Sequence, residues 1–132
     1  MAVASRLHRP SEKNDPCGYV TVAEIQTATG QTVVGEPTRV NDFSCGYHTS
    51  GGGINTGVVS PIDPAGFEAA QQRSIGSGTL VAIPGLGDKA FAIFFGVAVL
   101  KGQTVITVEV TPGPQTGGDA AIALARLLLE RS

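Results

Sequence analysis

His48 is the residue whose side chain could most readily do acid–base chemistry, because it is the only imidazole in the part of the chain that carries a folding pattern. With a serine and a carboxylate such as Asp42, Asp63 or Asp88 it could form a Ser-His-Asp arrangement. However, no G-x-S-x-G segment exposes a serine nucleophile, and the eleven acidic residues are scattered rather than closely paired. The sequence therefore favours a protein without catalytic machinery. The alternative is a small hydrolase or isomerase that uses His48 with a carboxylate.

The stretch IPGLGDKAF, residues 83–91, has the glycine content of a phosphate-binding loop but not its pattern. A dinucleotide-binding loop needs G-x-G-x-x-G before a helix, and a P-loop ends in Gly-Lys-Ser/Thr. Here Gly85 and Gly87 lead into a strand-like segment, and the third glycine is missing. We therefore predict a Pro84-Gly85 turn with Gly87 in a left-handed conformation. In the alternative, Asp88 and Lys89 line a ligand pocket at the mouth of the strand.

Two cysteines, Cys17 and Cys45, leave three interpretations open. A disulfide would tie the first helix to the strand near Phe43, and persistent disulfides indicate an oxidising compartment. Two free buried thiols are the second interpretation. The third is a zinc site that adds His48 and His8, although structural zinc sites usually show close-spaced pairs such as C-x2-C. The spacing favours the disulfide.

Capping patterns predict the first two helices. Thr21 and Glu24 have the spacing of a capping box, and Gly30 can end the helix, which places it at about 22–29. Asp63 as N-cap, followed by Pro64, predicts a second helix within the segment SPIDPAGFEAAQQRSIG. Strand-like segments lie between them, with the glycines at 51–53 as a mobile hairpin tip. These segments are at about 31–35, 42–48 and 54–60.

The clearest strand signal is VAVLKGQTVITVEV, residues 97–110. A two-residue Lys101-Gly102 turn would place Val99 opposite Thr104 and Val97 opposite Ile106. Directly opposed residues share a face of the sheet, so this register predicts one apolar face and one polar face. The predicted apolar face carries Val97, Val99, Ile106, Val108 and Val110, and the polar face carries Gln103, Thr107 and Glu109.

The whole pattern predicts an α+β fold. The segment DAAIALARLLLERS is an amphipathic helix at the end of the order α-β-β-β-α-β-β-β-α. Hairpin connections imply an antiparallel sheet of about six strands with helices packed on one face. We expect residues 15–132 to form this single domain, and residues 1–14 to form a flexible tail.

Composition excludes several classes of partner. The net charge is −2 and the chain has no Trp, two Tyr and five Phe, so it lacks the basic field and the stacking surface that nucleic-acid binding requires. No segment reaches the roughly 18 apolar residues of a membrane helix. The N-terminal MAVASRLHRPSEKN also lacks the apolar region of a signal peptide. No transmembrane segment, nucleic-acid partner or cofactor is expected.

Four features in this order resemble a family of small actinobacterial cell-envelope proteins, mostly lipoproteins. They are DPCGYVTVAE at 15–24, FSCGY at 43–47, IPGLGDKAF at 83–91, and a Lys-Gly hairpin followed by a Val/Thr strand and an Ala/Leu helix. Such proteins are similar in outline to PsbP-like α+β folds. The resemblance implies export, a Cys17–Cys45 disulfide and no catalytic machinery. The protein would be secreted or attached to the envelope if an export signal precedes this chain, and cytoplasmic otherwise.

These observations predict a non-enzymatic binding or interaction module of the cell envelope. Its partner would be a small apolar or amphipathic ligand, or another envelope protein. Tyr47 and His48 on a strand, the glycine tip at 51–53, and the turn with Asp88 and Lys89 could converge on one pocket. These four side chains are the predicted ligand contacts.

Overall fold

A computed structural model describes residues 15–112 and 118–132. The tail predicted at 1–14 lies outside the described residues. Within them the chain forms three α-helices, seven β-strands and two single-turn 3-10 helices, Pro16–Gly18 and Pro64–Gly66. The helices are α1 (Val22–Thr29), α2 (Phe67–Ile75) and α3 (Asp119–Arg131). The strands are β1 (Thr38–Arg39), β2 (Ser44–His48), β3 (Gly53–Val59), β4 (Val81–Ala82), β5 (Lys89–Ile93), β6 (Gly96–Lys101) and β7 (Thr104–Thr111).

All seven strands join one antiparallel sheet in the order β1-β2-β3-β7-β6-β5-β4. β7 lies at the centre, between β3 and β6. The two edge strands, β1 and β4, have only two residues each, which limits the unpaired backbone at the edges. This architecture confirms the predicted α+β class, with seven strands where about six were expected.

The helix α1 has both predicted caps. Thr21 Oγ1 accepts a hydrogen bond from Glu24 N at 3.0 Å, and Glu24 Oε1 accepts one from Thr21 N at 2.9 Å. Gly30 ends the helix with a φ of 71°, and its N–H donates to Gln26 O at 2.8 Å. Ile25, on the inner side of the helix, is fully buried. The local sequence therefore determines both the start and the end of this element.

No strand forms at 31–35 within the described residues. Val33 makes a single bridge to Thr49, and the chain then passes Gly35, whose φ is 79°, and Pro37, which has no N–H to donate. Pairing with β2 resumes only at β1. A left-handed glycine and a proline thus interrupt the edge of the sheet where the strand was expected.

The hairpin of β6 and β7 has the predicted faces in a different register. Val99 pairs with Ile106 rather than Thr104, and Lys101 pairs with Thr104. The two loop residues are therefore Gly102 and Gln103, and Gly102 has a φ of 59°. Lysine is poorly suited to a positive φ, whereas glycine adopts it freely. Since the pairing is shifted by two residues, the side chains of both strands keep their predicted faces.

The helices α1 and α3 pack on the face of the sheet that the sequence predicts to be apolar. The core there is formed by side chains of both helices and of the central strands, including Ile25, Tyr47, Val97, Val99, Ile106, Val108, Leu124 and Leu128. The helix α2 differs from expectation, because it packs on the opposite face. Its Phe67 ring lies 5.9 Å from the ring of Phe91, in a second cluster with Ala98 and Leu100.

The placement of α2 divides the second face of the sheet into two halves. β5 and β6 carry apolar side chains on both faces, so α2 finds a surface there to bury Phe67. On the same face β2, β3 and the second half of β7 carry glycines and polar residues instead. That half has no helix over it within the described residues, and it is called the open face below. None of the described helices is both long and apolar enough to cross a bilayer.

Candidate functional site on the open face

Tyr47 lies on the helix-covered side of the sheet and is only 2% exposed. Its hydroxyl donates to Val20 O at 3.1 Å, which ties β2 to the segment ahead of α1. Burial raises the pKa of Tyr47 to about 12. The ring therefore belongs to the core.

Asp88 and Lys89 close the β4–β5 hairpin. Asp88 Oδ2 accepts from Gly102 N at 2.7 Å, and Lys89 Nζ lies 3.3 Å from Glu68 Oε1 of α2. Gly87 has the predicted left-handed conformation, with a φ of 63°. The stretch 83–91 is thus a turn that leads into β5, with Asp88 bonded to the β6–β7 loop and Lys89 to α2.

The strand register separates these residues from His48. His48 pairs with Gly53, which pairs with Thr111, and this row lies at one end of the sheet. Lys89 pairs with Leu100 at the opposite end. Tyr47, His48, Asp88 and Lys89 therefore do not line one cavity, and His48 alone of the four projects onto the open face.

A groove of about 290 Å³ lies beside His48 on the open face. The register shows how it forms, because residues two apart on a strand share a face. Gly46, Asn55 and Glu109 form one row across β2, β3 and β7, and the row that contains His48 is next to it. The groove is lined by side chains of His48, Asn55, Phe95, Glu109 and Thr111, with Gly46 and Gly53 in the floor. Tyr47 and Ile54 also border it, although their side chains are buried in the core on the other face of the sheet.

The floor glycine Gly46 is not required by internal packing. A Cβ built there would lie 3.4 Å from Val40 Cγ2, an ordinary contact distance. At Gly57, on the same face, a Cβ would lie 2.6 Å from Thr107 Oγ1, so that glycine is needed to accommodate the threonine. A glycine inside a strand often marks a place where a ligand or another backbone approaches closely. Gly46 fits that description.

Asn55, which lines the groove, holds an unsatisfied acceptor. Its Oδ1 is buried and has no hydrogen-bond partner among the described residues. A buried acceptor left without a donor costs about 1–3 kcal/mol, and most such groups in native proteins are paired. The exposed carboxylate of Glu109 adds acceptors in the same row.

Phe95 borders the groove in a strained conformation. Its φ of 60° is the only positive φ of a non-glycine among the described residues, and a left-handed conformation costs such a residue roughly 1–2 kcal/mol. The Phe95 carbonyl accepts from Val110 N at 2.7 Å, which anchors the backbone to β7. The residue is 39% exposed and lines the groove, so an aromatic side chain is held at its rim.

A larger cleft of about 660 Å³ lies at the opposite end of the sheet. Four of its polar side chains already pair with one another. Arg39 Nη2 lies 3.1 Å from Asp42 Oδ1, and Thr104 Oγ1 donates to Ser60 Oγ at 3.0 Å. The smaller groove is the stronger candidate for a site, because it alone combines a buried unpaired acceptor with a strained aromatic residue.

Cys17 and Cys45 form a disulfide with a Cα–Cα distance of 5.0 Å. This confirms one of the three interpretations of the cysteines and removes the free-thiol and zinc alternatives; His8 lies outside the described residues. Within residues 15–112 and 118–132, no cluster of three or more His, Cys, Asp or Glu residues could hold a metal ion.

Comparison of the chain with models of protein families, with curated proteins and with solved structures finds no significant match. The groove itself therefore carries the functional argument. Five of the groove residues were not predicted from the sequence as site residues: Gly46, Asn55, Phe95, Glu109 and Thr111. The sequence does contain a signal for Asn55, because Gly53, Asn55 and Gly57 alternate along β3 and leave one polar side chain between two glycines.

Proposed function

We propose that this protein is a non-enzymatic binding module that works outside the cytoplasm, and that its ligand site is the groove on the open face. The observation that carries the proposal is the buried, unpaired Oδ1 of Asn55 in a groove whose floor residue, Gly46, is not a packing requirement. A ligand that donates a hydrogen bond to Asn55 would satisfy the unpaired acceptor.

The lining of the groove favours a small amphipathic ligand. Phe95 offers an apolar surface at the rim, while Asn55 and Glu109 offer acceptors in the floor. Ligand sites commonly combine apolar surface with a few convergent polar groups. A volume of about 290 Å³ suits one small molecule, or one unit of a longer one.

The disulfide supports a location outside the cytoplasm, because persistent disulfides form mainly in oxidising compartments. The order of motifs that resembles small actinobacterial envelope lipoproteins supports the same compartment. We therefore propose a location in the cell envelope, either secreted or attached.

A hydrolase or isomerase is the alternative, and one observation favours it. His48 and Glu109 line the same groove, as an acid–base pair would. However, β3 lies between their strands, so the two backbones are about 10 Å apart across the sheet. A carboxylate that orients a catalytic histidine must hydrogen-bond the imidazole directly, at about 2.6–3.2 Å. The spacing fits two contacts on one ligand better than a catalytic pair.

The binding function can be tested by NMR titration of the intact, disulfide-bonded protein. Suitable probes are short neutral oligosaccharides, phospholipid micelles and simple amines. We expect at least one class to give saturable amide shifts clustered at His48, Asn55 and Thr111. A Gly66→Ala variant should show the same shifts, because Gly66 lies outside the groove and has space for a Cβ. Shifts confined to Arg39 and Phe43, or no shifts with any probe, would refute the assignment.

A further inference from the structure

We infer that the groove binds a neutral saccharide, as one sugar unit of an envelope glycan. This inference rests on the proposed binding function and names the ligand class of the same site. Three properties of the groove support it: its hydrogen-bonding groups, its charge and its aromatic rim.

The hydrogen-bonding groups of the groove include several acceptors, with side-chain donors on the Asn55 amide nitrogen and the His48 ring. Asn55 Oδ1 lacks a donor, and the Glu109 carboxylate in the same row only accepts when ionised. The Thr111 hydroxyl already donates to Gly53 O at 3.1 Å, so towards a ligand it acts as an acceptor. A complementary ligand must present several donors, as the hydroxyls of a sugar ring do.

The spacing of these acceptors favours a ring over a single ammonium group. Asn55 and Glu109 lie in one row, and Thr111 lies in the next. Rows of residues on the same face are about 7 Å apart along a strand. A primary amine places all its donors on one atom, whereas a sugar distributes hydroxyls around its ring and can reach both rows.

The charge of the lining disfavours anionic ligands. Neither Lys nor Arg lines the groove, and Glu109 contributes a negative charge. Phosphate and carboxylate groups are usually recognised by Arg or Lys side chains or by backbone N–H groups. An anionic phospholipid headgroup or a nucleotide would meet repulsion from Glu109 here, and a neutral saccharide would not.

The aromatic rim supplies the remaining contact. The partly exposed ring of Phe95 is held beside the acceptors by a backbone conformation that phenylalanine rarely adopts. Backbone strain at such a residue is often linked to function. The C–H face of a sugar ring can stack on this ring while its hydroxyls reach the floor.

The test is a titration of the intact, disulfide-bonded protein with short neutral oligosaccharides of glucose, mannose, galactose and arabinose. Choline, putrescine and phospholipid micelles are titrated in parallel. We expect at least one oligosaccharide series to give saturable shifts at His48, Asn55 and Glu109. Replacing Phe95 by Asn, which tolerates a positive φ, should weaken that binding by about tenfold or more.

Phe94→Ala is the matched control, because Phe94 neighbours Phe95 but does not line the groove. It should leave the affinity within about twofold of wild type. Equal losses in the two variants would overturn the assignment of Phe95. Saturable shifts in the groove with an amine or micelles alone would overturn the saccharide and leave the binding function standing. An absence of groove shifts with all probes would overturn both.

Discussion

Tyr47 and His48 are neighbours in the chain, and the sequence predicts them as partners in one site. In the structure the alternation of β2 places Tyr47 in the core and His48 on the open face. Either residue type can occupy either face, because tyrosine has both a large apolar ring and a polar hydroxyl. The core position of Tyr47 is fixed by Val20, a residue distant in sequence. The carbonyl of Val20 accepts a hydrogen bond from the Tyr47 hydroxyl. Such a long-range contact cannot be read from β2 alone.

At the same scale, the unpaired acceptor of Asn55 leads to a prediction about stability. Replacing Asn55 by Ala removes a buried oxygen that has no partner, so the free energy of unfolding should stay the same or rise. Urea unfolding of the wild type and of Asn55→Ala measures this free energy. A loss of more than about 1 kcal/mol would show that the amide makes a stabilising hydrogen bond in the folded state.

Among the elements, α1 and the β6–β7 hairpin were predictable to different degrees. The capping box and Gly30 determine α1, because all the groups involved lie within a few residues of one another. Hydrophobic alternation assigned the faces of the hairpin correctly. It could not assign the register, because a shift of two residues leaves every side chain on the same face. The preference of Gly102 for a positive φ decided between the two registers.

The elements α1 and α3 are joined by a contact that depends on pH. Arg131 donates through both terminal nitrogens to the carboxylate of Glu24, and through Nη1 also to Tyr19 O at 2.9 Å. These interactions lower the pKa of Glu24 from 4.5 to about 2, with the Arg131 hydrogen bonds as the largest cause. Glu24 therefore needs to be ionised for the two helices to be held together fully.

This contact predicts a loss of stability in acid. Because the pKa of Glu24 is lower in the folded than in the unfolded protein, its contribution is fully present above about pH 4.5. It should be lost progressively as the pH falls towards 2. The Glu24→Gln variant should be less stable at neutral pH by about 1–3 kcal/mol, and its stability should change less over this range. Urea unfolding at several pH values measures both effects, with Glu36→Gln, an exposed carboxylate between α1 and β1, as the control. Equal acid dependence in wild type and Glu24→Gln would contradict this account.

For the whole molecule, the sequence predicted the fold class but not the asymmetry of the sheet. The segments of β5 and β6 are apolar on both faces, which allows α2 to cover their second face. The prediction of helices on one face holds for α1 and α3 but not for α2. Placing α2 requires the pairing of Phe67 with Phe91, which is a tertiary contact. The position of the groove follows from this asymmetry, because it lies on the half that no described helix covers.

The Gly46→Ala variant tests the central claim, that the open-face groove is a ligand site, most directly. Gly46 has a φ open to any residue and space for a Cβ, and alanine is usually more stable than glycine within a strand by about 0.5–1 kcal/mol. We predict a melting temperature equal to or above that of wild type, together with loss of the His48 and Asn55 shifts that the probes produce in wild type. A variant that binds as tightly as wild type, or one that melts well below it, would contradict the claim.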